Sequence, residues 1–165
     1  MALLDKSGII RRLTIADSLA RKELEYLKGP VLPDPSEFEE HIHLYVLYKF
    51  LLDDEVALPE TRDLNELAQL SVAKAGRLNP NEAALLDVSR HCGSTSSFMT
   101  KKVLLFMSLS REFGFEYPPY DTAEIETTGA LAHIVMEKIG ERTEAGSGNA
   151  GRQDRVTEDD RGQDS

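Results

Sequence analysis

Cysteine is almost missing from this 165-residue chain: Cys92 stands alone. No intramolecular disulfide can form, which fits a reducing compartment. Long apolar runs are missing too, and none approaches the roughly 20 residues needed to cross a bilayer. The opening Met1-Ala-Leu-Leu-Asp-Lys6 lacks the basic segment and apolar core of a secretory signal. These three absences lead us to expect a soluble, cytoplasmic protein. Cationic excess is also lacking: the formal net charge is -10 and the pI is near 4.9. Phosphate backbones need a cationic surface, so nucleic acid is not an expected partner, whereas basic patches on other proteins are. There is no Gly-rich phosphate loop, no nucleophile elbow and no His-Glu-x-x-His, so no standard catalytic signature is present and the chain is not expected to be an enzyme. No alternating apolar and polar run is long enough to make a strand. An all-α fold is what remains, and no internal repeat is visible.

What is present centres on Ser94 to Pro119. Val103, Phe106, Leu109 and Phe113 recur at spacings of three and four and share one helical face, which Leu104, Leu105 and Met107 widen. A helix so apolar is expected to be buried on several sides. Ser94 to Ser97 can cap its first turn, because short hydroxyl side chains accept hydrogen bonds from the unpaired N–H groups there. Gly114 supplies a left-handed C-terminal cap, and Pro118 and Pro119 forbid any resumption.

Upstream, residues 1–29 predict an amphipathic helix with Ile9, Ile10, Leu13, Leu19, Leu24 and Leu27 as its apolar set, ended by Gly29-Pro30. If that set is exposed on one side, a dimer or a partner protein is implied. Asp34, Pro35 and Glu37 form a cap signal for a helix from Phe38 to Leu52, whose Ile42, Tyr45, Val46, Phe50 and Leu52 require a large surface to pack on. The same grammar recurs at Asp63/Glu66, Asn79/Glu82 and Asp121/Glu124. It predicts helices near 64–75 and 80–91, a short one at 122–126, and others at 97–113 and 128–139. From Gly140 the chain carries mixed charge and almost nothing to bury, so a disordered tail is expected.

The piece Leu109-Ser-Arg-Glu-Phe-Gly-Phe-Glu-Tyr-Pro118 resembles the end of the second helix of an acyl or peptidyl carrier protein and its "Phe-Gly-Ile-Glu-Ile-Pro" link. Ile125-Glu-Thr-Thr-Gly-Ala-Leu-Ala-His-Ile-Val135 is similar to that family's last loop and helix. Gly93 and the serines sit where the family has Gly-x-Asp-Ser-Leu, whose serine takes a phosphopantetheine arm. The resemblance covers about Leu64 to Ile139. It implies a four-helix carrier bundle over 61–140, preceded by a helical arm at 1–30 and an additional helix at 31–60, with the tail at 141–165. It further implies 4′-phosphopantetheine as a covalent group, and a phosphopantetheinyl transferase and acyl-transferring enzymes as partners. The chain would be a monomer or a homodimer.

Ser97, followed by apolar Phe98, best matches the family's Ser-Leu pair, with Ser96 and Ser94 as neighbouring attachment candidates. Counting back from Phe113 without gaps puts the family's serine at Met99. Either the helix is longer by two residues here or the serine is lost. Ser96 replaces the family's acidic residue, and Lys101-Lys102 stand where acids usually face basic partners. The alternative for Ser94 to Ser97 is capping alone, in which case the chain is a carrier-like binding or scaffold module without an arm.

Other residues carry less. Cys92, between His91 and Gly93, suggests a nucleophile, but no orienting partner can be assigned and an unpaired cysteine is commonly a small buried hydrophobe. His41 and His43 lie two positions apart, about 200° around a helix, and cannot share a metal. His133 is expected as a partly buried structural residue. Tyr45, Tyr48 and Phe50 are expected in the core, although a helix that carrier proteins lack could also cover an acyl groove.

Overall fold

The computed structural model describes residues 6–53, 58–77, 81, 96–116, 122 and 124–147. Among these, the chain forms α1 (Lys6–Leu27), α2 (Pro35–Lys49), α3 (Leu64–Gly76), α4 (Ser97–Phe113) and α5 (Thr128–Ser147), with no strand. The all-α expectation is met. Apart from Asn81, the expected helix at 80–91 lies outside the described residues, as do Cys92 and Ser94; the short α-helix expected at 122–126 is not formed, since Thr122 is in a 3-10 turn and Glu124 to Glu126 are not helical.

Local rules set the helix ends. Asp34 caps α2 by accepting from the N–H groups of Ser36 and Glu37, with Pro35 at the first helical position. Asp63 caps α3 by accepting from Glu66 N–H at 2.8 Å. In neither case does the glutamate supply the return bond of a capping box. Glu37 accepts from the Tyr26 hydroxyl and Glu66 from the Thr61 hydroxyl, while Thr61 Oγ1 accepts from Asp63 N–H. Gly114 adopts φ +68 as the C-cap of α4, a backbone state that costs other residues about 1–2 kcal/mol.

One core holds all five helices. α2 packs on α1 along one side and on α5 along another, α3 packs on α4, and α4 touches α5. Phe38, Ile42, Tyr45, Val46 and Leu47 of α2 are fully buried, joined by Leu24 and Leu27 of α1, Leu64 and Leu67 of α3, Leu105, Phe106 and Leu109 of α4, and Leu131 and Val135 of α5. Burying each such side chain contributes about 1.5–3 kcal/mol. The centre of the molecule is therefore α2, and not the Ser97–Phe113 helix as its composition suggests. In α4 the buried stripe is Lys102, Leu105, Phe106, Leu109 and Phe113, while Leu104 and Met107 stay 60% and 63% exposed.

The chain at the start of α3 and the chain at the start of α5 run antiparallel for a single bridge, Asp63 opposite Thr127. Leu64 N–H donates to Glu126 O at 2.7 Å, and Thr128 N–H to Arg62 O at 2.9 Å. Both bridge residues also cap: the Thr127 hydroxyl accepts from Ala130 N–H at 3.1 Å. The two helix starts are locked together by their own caps.

Two expectations need correction. α5 does not stop near 139 and the chain does not lose structure at 140 or 141, because the helix runs to Ser147. The extra turns are held by the Lys138–Glu141 pair at 2.9 Å and by Arg142, whose guanidinium donates to Phe113 O at the end of α4. Residues 148–165 lie outside the described residues. His133 is exposed, since Thr128, Leu131, Ala132 and Val135 take the inward face of α5.

Half of α1 does not join the core. Ala16, Ala20, Leu24 and Leu27 are buried, but Ile9, Ile10, Leu13 and Ile15 are 41–63% exposed. The helix outruns α2, against which it packs. Arg12 is the exception in this half: it reaches back and donates to Leu51 O at 2.8 Å. Leu51 has φ +58, and the turn it makes after α2 is also held by Lys74 on the same carbonyl (2.9 Å) and by Ser71 on Phe50 O (2.6 Å). Cations at these last carbonyls complement the negative end of α2.

Candidate functional site

The site indicated by sequence is the first turn of α4. Ser96 is its N-cap, with Oγ accepting from Met99 N–H at 3.1 Å and its carbonyl accepting from the Thr100 N–H and hydroxyl. Ser97 is the first helical residue and is half-buried. The two serines are thus brought together in one turn with different tasks: Ser96 is bound to the backbone, and Ser97 starts the helix. Ser94 is outside the described residues. The first turn carries no acidic side chain of its own among the described residues, and the positive end of a helix favours an anion.

Phe98 anchors this turn by packing on the core, and the two lysines that follow have opposite fates. Lys102 is only 1% exposed, and its Nζ donates to Asn65 Oδ1 of α3 at 3.1 Å. Burial pulls its pKa below the ordinary lysine value, against the opposing pull of Asp63 and Glu126. It joins the start of α4 to the locked starts of α3 and α5 and offers no basic surface. Lys101 remains half-exposed, with Nζ 5.7 Å from the centre of the Phe50 ring. Burial lowers its pKa as well.

The histidines diverge as expected. His41 turns toward α1, stacked on Tyr26 at 4.1 Å and bonded to Glu23. His43 is buried against α5, with Nδ1 3.4 Å from Thr128 Oγ1. Desolvation, then the charge of Arg62, holds its pKa below 6.5. Among the described residues no group of three or more His, Cys, Asp or Glu side chains could hold a metal. None of the described helices is long and apolar enough to cross a membrane. Tyr45 is in the core as expected, its hydroxyl 2.8 Å from Ser108 Oγ and its pKa pushed up to about 12 by burial.

The burial of Lys102 and the setting of Lys101 were missed at the level of sequence. Lys102 sits at a position of the apolar stripe, three before Leu105 and four before Phe106, and that spacing was the available signal. No family model, no curated protein and no solved structure matches the chain.

Proposed function

We propose that this chain is a divergent acyl or peptidyl carrier protein that tethers an acyl intermediate through a 4′-phosphopantetheine arm on Ser97. The observation that carries the reading is the position of Ser97 as first residue of a 17-residue helix, behind the capping Ser96. A helix beginning there is what the longer-by-two alternative requires, and it keeps the serine in the first turn. The residues fit the group: a hydroxyl at a helix start, no carboxylate in that turn, and a partial positive charge for the phosphodiester. When bound, the arm supplies the thiol that holds the acyl group. Ser97 anchors it, Ser96 fixes the turn, and Phe98 keeps the helix start on the core. The gain is effective concentration at a partner's active site.

Two added residues turn the serine about 200° around the helix axis relative to the family's position. The transferase and the acyl-transferring enzymes meet it on a different face, beside Lys101 and not beside acids, which suits a dedicated biosynthetic pathway in the cytoplasm. The test is intact-protein mass after co-expression with a broad-specificity phosphopantetheinyl transferase. The expected result is a mass increment of one arm that is lost in Ser97→Ala. An unmodified protein, or an increment that survives the substitution, overturns the assignment.

A carrier-like scaffold without an arm is the second reading. It is favoured by the exposed Ile9, Ile10, Leu13 and Ile15 on α1, an apolar face of the kind that partners cover. An unmodified mass together with a homodimer or a protein complex in sedimentation supports it.

A further inference from the structure

We propose that the cleft between α2 and α4 is a binding site for a small carboxylate bearing a short aliphatic chain, with Lys101 as its counter-cation. The cleft has a volume of about 220 Å³ and is lined by Lys49, Phe50, Lys101, Leu104, Leu105 and Ser108. That is below the ~300–1,000 Å³ of pockets for drug-sized ligands, so its occupant is small. Lys101, Leu104 and Ser108 lie four, seven and eleven positions after Ser97, a spacing that sets all four on one side of α4.

The charge balance selects the ligand's sign. The Lys49 amine is committed to Asp17 at 3.1 Å. Lys101 has no carboxylate partner among the described residues and lies over the Phe50 ring, half removed from water. An aromatic face compensates an ammonium only in part. A carboxylate entering here makes a charge-assisted hydrogen bond in a region of reduced dielectric, which strengthens it. The apolar walls are Phe50, Leu104 and Leu105. Leu104 is 60% exposed, so covering it with an aliphatic chain removes apolar surface from water. No acidic side chain occurs on α4 before Glu112, so with Lys49 paired to Asp17 the charge offered to a ligand in the cleft is that of Lys101. An amine of the same length is repelled by Lys101, and acetate lacks the chain.

The test uses the full unmodified chain, so its outcome is read whether or not Ser97 takes an arm. Hexanoate, hexylamine and acetate are titrated separately while backbone and side-chain NMR resonances are followed. Hexanoate is expected to give saturable shifts at Phe50, Lys101, Leu104 and Leu105, with hexylamine and acetate giving none. Lys101→Gln is expected to weaken hexanoate by about tenfold or more, as loss of one charge-assisted contact would. Leu104→Glu, at an exposed position that leaves the fold intact, supplies an internal carboxylate to Lys101 and is expected to abolish binding. Absence of saturable shifts with hexanoate, equal binding of hexylamine, or undiminished binding in Leu104→Glu overturns the proposal.

Discussion

α2 and α4 are both rich in apolar residues, and the bundle treats them differently. From His41 to Lys49 no residue of α2 is fully exposed, whereas α4 keeps an outward stripe of Thr100, Leu104, Met107 and Arg111. The difference lies in the neighbours. α2 has α1 on one side and α5 on another, while α4 has α3 and only a light contact with α5. An apolar pattern on one helix counts the faces able to be covered, and the rest of the chain decides how many are. α2 has become the centre, and α4, the more apolar helix in composition, has become a wall with an exposed outer surface.

Truncations in the two helices are the strongest way to break this contrast. Tyr45→Ala removes a fully buried ring and is expected to cost about 3–5 kcal/mol in urea unfolding, while Met107→Ala is expected to stay within about 0.5 kcal/mol. Comparable losses would return α4 to the centre. Next comes Lys102, the polar member of the inward stripe of α4. Lys102→Ala leaves a cavity and strips Asn65 Oδ1 of its donor, an expected loss of about 2–4 kcal/mol. Lys102→Met keeps the volume without the desolvated charge and is expected to lie within about 1 kcal/mol of the parent. A Met variant as damaged as the Ala variant would mean that the amine itself holds the helix starts together.

Gly114→Ala forces φ +68 on an alanine and brings its Cβ to 2.4 Å from Arg142 Nη1. Because that atom ends a flexible side chain, the backbone dominates, and about 1–2 kcal/mol is expected in thermal unfolding. The smallest effect is a pH slope in α2. His43 has a folded-state pKa below its ordinary 6.5, so between the two values the unfolded chain binds the extra proton. Stability therefore rises with pH up to about 6.5 and falls as acid is added. His43→Gln is expected to flatten that slope in urea midpoints measured from pH 5 to 7.5, and an unchanged slope would assign it to other groups.

Much of the frame was legible because it obeys rules that act within a few residues. Asp34, Asp63, Ser96 and Gly114 all cap where their spacing indicates, and Gly29 ends α1 on schedule. The rest depends on meetings between distant segments. The bonding of Glu37 needs Tyr26 of another helix in place; the burial of Lys102 needs Asn65; the extension of α5 past 140 needs Arg142 to find Phe113. For the candidate site, Ser96 and Ser97 were readable as a helix start. The cleft beside Lys101 was not, because Phe50 and Lys49 belong to a helix far away in sequence.

The bridge between Asp63 and Thr127 bears on how the protein is made. A chain emerging from the ribosome can pair α1 with α2 early, but the partner for the start of α3 is not translated until α5 begins. Until then the flank of α2 that α5 covers stays open to water, so the order of the helices leaves the closing of the core to α5.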